Sequence, residues 1–354
     1  MGLYEKIADL PLEIDDYRLE QFTSDTSSEF TRVTTVFSFV GDGVVGHGED
    51  VTYATEAHDN LGSIDTPWSL DGAFTIESFS RHLDDVSLFP SGGDTQEIFT
   101  NYRRWALESA ALDLALKQQA VSLGDHLGMD YHPVRFIVST RLGSPPSVER
   151  LERLQEGNQA LEFKLDPTSE WTTELIDTLA ALDSVVILDL KGQYEDTIVD
   201  QAADPALYEQ VIDAFPNALL EDPALNPETR PLFMGHEERV TWDYPITGID
   251  DIQTLPWEPR WLNLKPSRFG SLRAIFDTID YCRSEDIRLF GGGQFELDVG
   301  RSHLHTLASL FYPDAPNDIA PTEYNMPEPP SDAPDSPLVP SSEPAGLKFV
   351  PVDR

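Results

Sequence analysis

The chain has 354 residues, 40% of them hydrophobic, long enough to bury a sizeable core and to carry one large domain with a smaller one. No apolar run approaches the roughly 18 residues of a membrane helix, the start lacks a basic-then-apolar leader, and a single cysteine, Cys282, excludes an internal disulfide framework. A formal net charge of -39, spread along the whole chain, repels phosphate and so excludes sequence-independent nucleic-acid binding, and it fits a cytoplasmic protein of a salt-loving organism, where salt screens self-repulsion.

Near the N-terminus, Gln21-Phe-Thr-Ser-Asp-Thr-Ser-Ser reads as a polar, flexible loop. Thr31 to Val40 and Val44 to Glu49 alternate around Gly41-Asp-Gly, the pattern of a β-hairpin. Ile98 to Gln119 places Trp105, Leu107, Ala111, Leu112, Leu114 and Leu116 at helical spacing. Strands followed by a helix predict an α+β domain over residues 1–128. From there the texture changes to short apolar runs separated by helical stretches. The runs start at Val134, Leu161, Val185, Ala218, Arg239, Trp261 and Ile287. Their spacing suits strand–loop–helix units. Seven in a row predict an α/β domain over residues 129–320, a modified (β/α)8 TIM-type barrel of (β/α)7β form, whose eighth strand has no sequence run of its own. A doubly wound open sheet is the alternative, disfavoured because no Gly-x-Gly-x-x-Gly follows the first run. Residues 321–354 hold nine prolines and read as irregular chain. The closing Gly346-Leu-Lys-Phe-Val-Pro-Val is apolar enough to return to the N-terminal domain.

The ends of five successive runs carry Lys164, Asp189, Glu221, Asp243 and Lys265. Parallel barrel strands present their C-terminal ends to one face, where catalytic groups gather. Three carboxylates on rigid strands suit one Mg2+ ion, with positions left for water and substrate. A lysine on either side can take or return a proton if burial or positive neighbours lower its pKa. Only six lysines occur in the chain, and a third strand-end lysine, Lys191, follows Asp189 by two residues. It either acts electrostatically in the site or pairs with a barrel carboxylate. Ser139, Glu162 and Gln294 are candidates for substrate contact. Glu296 is a candidate for the opposite wall of the site or for orienting a lysine. Asp250-Asp251 rivals Asp243 as third ligand, but it follows Thr247 at a helix start rather than ending a strand. Gly291-Gly-Gly reads as backbone passing close to substrate or metal, and His303 and His305 as surface or packing residues.

In Phe163-Lys-Leu-Asp-Pro, Leu188-Asp-Leu-Lys-Gly-Gln-Tyr, Leu220-Glu-Asp-Pro, Trp242-Asp-Tyr-Pro, Asn263-Leu-Lys-Pro-Ser-Arg-Phe-Gly and Gly291-Gly-Gly-Gln-Phe-Glu, the chain resembles the enolase superfamily. The likeness is to its muconate-lactonizing, o-succinylbenzoate synthase and N-acylamino acid racemase branch. That resemblance implies a capping domain on the barrel, with Asp189, Glu221 and Asp243 as Mg2+ ligands. It implies Lys164 and Lys265 as the pair that handles the α-proton of a small-molecule carboxylate. Racemisation, epimerisation or cycloisomerisation is the expected outcome; an acid-sugar or o-succinylbenzoate-type dehydratase and a non-catalytic metal- or ligand-binding barrel are the alternatives. Membrane and nucleic-acid partners are not expected, and homo-oligomerisation stays open. Three positions depart from the family pattern: Glu162 replaces the first lysine of Lys-x-Lys, Lys191 an asparagine, and Tyr244 a glutamate. Because strand residues two apart share a face, Glu162 is expected to set an anion beside Lys164.

Overall fold

The computed structural model describes residues 1–62, 68–90, 96–194, 201–342 and 344–352. The N-terminal part begins with β1 (Pro11–Ile14) and continues into an antiparallel meander of β2 (Asp16–Asp25), β3 (Thr31–Gly41) and β4 (Val44–Asp50). The turn between β3 and β4 places Asp42 and Gly43 at φ 49° and 77°, as a two-residue hairpin connection requires. β5 (Gly72–Thr75) pairs antiparallel with β1. The polar stretch from Gln21 to Asp25 belongs to β2 rather than to a loop. β2 is an edge strand with no fully buried residue, so its polar sequence carries little apolar strand signal.

The helix Glu97–Gln118 lies across β4. Its approach needs glycines: a Cβ on Gly48 would lie 1.9 Å from the Ala106 carbonyl oxygen, and one on Gly46 2.3 Å from the Leu114 nitrogen. The spacing Val45-Gly-His-Gly in β4 is therefore a packing requirement.

Seven parallel strands follow in sequential order: β6 (Val138–Thr140), β7 (Phe163–Leu165), β8 (Val185–Asp189), β9 (Leu219–Glu221), β10 (Val240–Trp242), β11 (Trp261–Leu264) and β12 (Arg288–Gly291). The eighth stave is two residues long. Asn317 bridges Phe136 and Asp318 bridges Gly292, both in parallel sense. Asp318 N–H donates to the Gly291 carbonyl at 2.7 Å, and Ile137 N–H to that of Asn317 at 2.9 Å. This closes the circle between β12 and the approach to β6. Val134 then exchanges backbone hydrogen bonds with Leu338, and Gly346 with Val121 and Leu123, carrying the C-terminal segment back along the chain's first half. No helix among the described residues is long and apolar enough to cross a membrane.

Two buried carboxylates from the N-terminal part sit on barrel helices. Glu49 accepts the N–H groups of Leu297, Asp298 and Gly300 at 2.6, 3.1 and 2.8 Å, at the start of helix Val299–Phe311. Glu108 accepts the Leu272 N–H at 2.7 Å, at the start of helix Leu272–Ser284. Helix starts leave N–H groups unsatisfied and carry positive potential, so each carboxylate meets both needs at once.

Candidate active site

On β8 and β9, Ile187 pairs with Leu219 and, two residues later, Asp189 with Glu221. Residues two apart on a strand share a face, so a charged layer stands directly above an apolar one. Ile137, Ile187, Leu219 and Phe290 make the apolar layer, a cluster separate from the main core. Lys164, Asp189, Glu221, Asp243 and Lys265 make the charged layer, and all five are buried. Ser139 lies beside Lys164 in the β6–β7 register.

The Lys164 ammonium lies 2.5 Å from Glu221 Oε2, 3.1 Å from Asp189 Oδ2 and 3.2 Å from Asp318 Oδ2. Asp318 comes from the closing stave, so barrel closure brings it to the site. Lys265 Nζ donates to Asp243 Oδ2 at 2.7 Å, and the Tyr194 hydroxyl donates to the same oxygen at 2.9 Å. Arg268 Nε is 3.4 Å from Asp243 Oδ1. Lys191 donates through Nζ to Asp189 Oδ2 and through its backbone N–H to Oδ1. Asn263 Nδ2 donates to Glu221 Oε1 at 2.8 Å. Asp222 accepts the N–H groups of Asp243 and Tyr244, both at 2.9 Å, fixing the turn after β10.

Electrostatics follow from this crowding. Burial pulls the Lys164 ammonium down, but Asp189, Glu221, Asp318 and Asp243 outweigh it and hold its pKa well above the ordinary value. Burial pushes Asp189 and Asp243 up, yet the surrounding cations win and both stay below the ordinary range. Glu221 goes the other way. Burial, with Asp189, Asp243 and Asp222 against Lys164, raises it to about 8, and burial with Asp243 and Asp189 raises Asp222 to about 7. As it stands, Lys164 is a protonated ammonium neutralising carboxylates. To act as a base it would need another cation to take over that task.

Other predicted residues lie as follows. Glu162 precedes β7 and turns away from Lys164 into a two-pronged pair with Arg135, both contacts 2.7 Å. Gln294 is buried and accepts the Tyr53 hydroxyl from the N-terminal part at 2.9 Å, while Phe30 meets Phe295 edge-on at 5.2 Å. These contacts roof the barrel mouth from the start of β3 and the segment after β4. Glu296 accepts the Gln294 N–H and pairs with Arg301 at 3.1 Å. A Cβ on Gly292 would lie 2.2 Å from Asn263 Oδ1 and 2.7 Å from Lys265 Cε, so the glycine run lets backbone pass those side chains. Asp250 is exposed, and Asp251 accepts from Thr247 at the following helix. His303 and His305 are both buried, and His305 Nε2 lies 2.7 Å from the Ile319 carbonyl, bracing the closing stave. Sequence reasoning missed Asp166, Tyr194, Asp222, Asn263, Arg268 and Asp318. The first five stood inside the motifs already singled out, whereas Asp318 had no strand run to mark it.

On this floor Asn263 Oδ1 is buried and accepts no hydrogen bond, while buried Glu221 Oε2 and Asp243 Oδ1 have only their ion-pair contacts with Lys164 and Arg268. Oxygen donors of this kind, in carboxylate company, fit a hard divalent cation held by Asp189, Glu221 and Asp243. Among the described residues no three His, Cys, Asp or Glu side chains converge as a ready-made metal cage; Lys164 bridges Asp189 and Glu221 instead. A cation held there would take the place of the Lys164 ammonium between Asp189 and Glu221. Glu221, ordinarily near 4.5 and here raised to about 8, favours the metal-free fold below its unfolded pKa, and that contribution is lost as pH rises through about 8. An Mg2+ ion held by Glu221 would compete with the same proton, so its affinity is expected to rise from pH about 6 to about 9. Titration calorimetry across that range checks it, and a flat profile contradicts the Glu221 assignment.

An α+β cap docked on a parallel barrel is the fold this chain shares with a solved member of the enolase superfamily. The structure resembles a dipeptide epimerase from Methylococcus capsulatus complexed with Mg ion, at TM-score 0.69 and 16% identity, covering 96% of this chain and 99% of that one. It also resembles an enolase superfamily member from Listeria innocua Clip11262, at TM-score 0.62 and 18% identity over 88% and 86%. In sequence, the chain is 25% identical over 227 residues to an o-succinylbenzoate synthase of Bacillus subtilis (strain 168), a match covering 60% of this chain and 58% of that protein. The chain itself belongs to the family described as Domain of unknown function (DUF8230): residues 5–126 match its N-terminal domain and residues 130–326 its C-terminal domain.

Proposed function

We propose that this chain is an Mg2+-dependent enzyme that abstracts the α-proton of a small carboxylate, with racemisation, epimerisation or cycloisomerisation as the outcome. The observation that carries the reading is the placement of Lys164 on β7 and Lys265 after β11, on either side of Asp189, Glu221 and Asp243. A proton next to a carboxylate is a very weak acid, and a bound divalent cation would supply the positive charge that stabilises the enediolate. Pairing a lysine base with such an ion is the general arrangement of enolase-type sites. The chain's own residues do the rest. One lysine Nζ takes the proton, and the other returns it or stabilises charge. Tyr194 and Arg268 keep Asp243 oriented, Asn263 does so for Glu221, and the Tyr53–Gln294 contact holds the roof that excludes water. The likeness to an o-succinylbenzoate synthase supports dehydration as the second reading.

The test is deuterium wash-in at the α-carbon, in D2O with Mg2+ and high KCl, across N-acylamino acids, dipeptides, acid sugars and aryl succinates. Exchange that disappears with chelator is expected. Absence of exchange with every carboxylate, in protein shown by calorimetry to bind Mg2+, would overturn the reading. High salt belongs in the assay because we also propose a salt-rich cytoplasm as the habitat of this strongly acidic chain.

A further inference from the structure

Lys191 is anomalous in its backbone before its side chain is considered. Its φ is +52°, a left-handed conformation that asparagine and glycine accept and lysine rarely adopts. The conformation is locked from both sides. Leu190 N–H donates to the Glu221 carbonyl at 2.9 Å and Gly192 N–H to that of Asp222 at 2.8 Å. A Cβ on Gly192 would lie 2.1 Å from the Ala224 nitrogen, so the turn is pressed against the neighbouring strand end. The main chain at Lys191 is thus fixed, and only its side chain has freedom.

That side chain has two carboxylates in range. Its ammonium rests on Asp189 Oδ2, and Asp166 Oδ1 lies 3.9 Å away. The Tyr194 ring lies beneath it, 4.9 Å from centroid to Nζ. Asp166 is itself only partly paired, with Arg141 Nε at 3.3 Å. The Lys191 side chain is 13% exposed against 2% for Lys164, so it is the less enclosed of the two lysines that meet on Asp189. A cation held by Asp189 would compete with this ammonium for the same carboxylate.

We propose that Lys191 is a built-in competitor for the divalent cation, its ammonium resting on Asp189 in the metal-free site and moving to Asp166 when the cation binds. The inference rests on the reading of Asp189 as a cation ligand, and it needs no substrate. Lys191 sets how much Mg2+ is required to open the site, and Asp166 is the station that makes the exchange reversible. No proton is gained or lost in the swap.

Mg2+ titration calorimetry on the full chain in high KCl tests this with four proteins: wild type, Lys191→Met, Asp166→Asn and the double variant. Lys191→Met, uncharged and of similar length, is expected to bind Mg2+ about tenfold more tightly. Asp166→Asn is expected to bind severalfold more weakly, because the displaced ammonium has no second station. In the double variant the Asp166 effect is expected to vanish, since the station matters only while the ammonium is present. Lys191→Asn, suited to the left-handed backbone, is the second probe should Lys191→Met fold poorly, and the same direction is expected. Unchanged or weaker binding by the Lys191 variants, with wild type binding, overturns this inference alone. An Asp166 effect that persists undiminished in the double variant also overturns it, because charge acting through space then suffices. Failure of all four proteins to bind overturns both this inference and the cation reading beneath it.

Discussion

Lys265→Met and Lys164→Met are each expected to lower turnover by about a thousandfold, the scale of a positioned acid or base. The two losses differ in kind. If the reaction inverts a stereocentre, each lysine serves one face of the substrate, so each variant keeps deuterium exchange from one enantiomer and loses it from the other. If the reaction is a cycloisomerisation or dehydration, one variant loses exchange altogether while the other keeps exchange and loses turnover. Proton NMR of both enantiomers in D2O separates these outcomes. Equal, undiminished exchange in both variants would sink the two-lysine mechanism. Lys164→Met carries a further signature. It removes the ammonium shared by Asp189, Glu221 and Asp318, leaving Lys191 as the cation on Asp189 and only the Asn263 amide as donor to Glu221. Breaking a buried pair in this way costs about 3–5 kcal/mol, so the metal-free variant is expected to unfold at lower denaturant and Mg2+ to restore most of the loss. Exchange must therefore be measured at saturating Mg2+. Lys265 contacts one carboxylate, Asp243, which keeps Tyr194 and Arg268 as partners, so Lys265→Met is expected to lose chemistry with a smaller change in stability.

The different burdens on these lysines were only partly visible in the sequence. Apolar runs ending in charge marked β7 to β11 and placed Lys164, Asp189, Glu221, Asp243 and Lys265 on a common rim, because strand period and parallel topology leave little choice once the runs are found. The eighth stave escaped because two bridging residues, Asn317 and Asp318, make no periodic pattern. Asp318 escaped with it, and so did one of the carboxylates that hold Lys164 protonated. The expectation of an anion supplied by Glu162 used the same two-residue rule one step too far. β7 begins at Phe163, and Glu162 lies outside it, where Arg135 takes both of its oxygens. Sequence order identified which groups face the barrel axis. It carried no information on which cation each carboxylate selects, since those choices are made across strands tens of residues apart.

Glu49→Ala is expected to destabilise the protein by about 3 kcal/mol, although Glu49 touches none of the lysines. Its carboxylate is the acceptor for three backbone N–H groups at the start of helix Val299–Phe311, and alanine takes that acceptor from all three, the Gly300 N–H buried and the other two partly so. Gly300 fits this carboxylate by lacking a side chain: a Cβ there would lie 2.8 Å from Glu49 Oε2. Charge and hydrogen bonding can be separated. Burial raises the Glu49 pKa against the pull of the Leu297, Gly300 and Thr34 hydrogen bonds, so its protonated form favours the fold below the unfolded pKa and that contribution is lost as pH rises through the folded value. Glu49→Gln keeps one acceptor oxygen, enough for the Asp298 and Gly300 N–H groups but not also for Leu297, so it is expected to retain more stability than Glu49→Ala at neutral pH and to flatten this part of the pH dependence. Denaturant unfolding of both variants, with hydrogen exchange at Leu297 to Gly300, checks the pair. Unfolding of Glu49→Ala at the wild-type denaturant midpoint would contradict the docking role. The consequence reaches the site through the cap: β4 carries Glu49, and Tyr53, three residues beyond its end, holds Gln294 over the barrel mouth. Loosening Glu49 therefore loosens the roof, and the Ala variant is expected to lose substrate affinity before it loses the capacity to bind Mg2+.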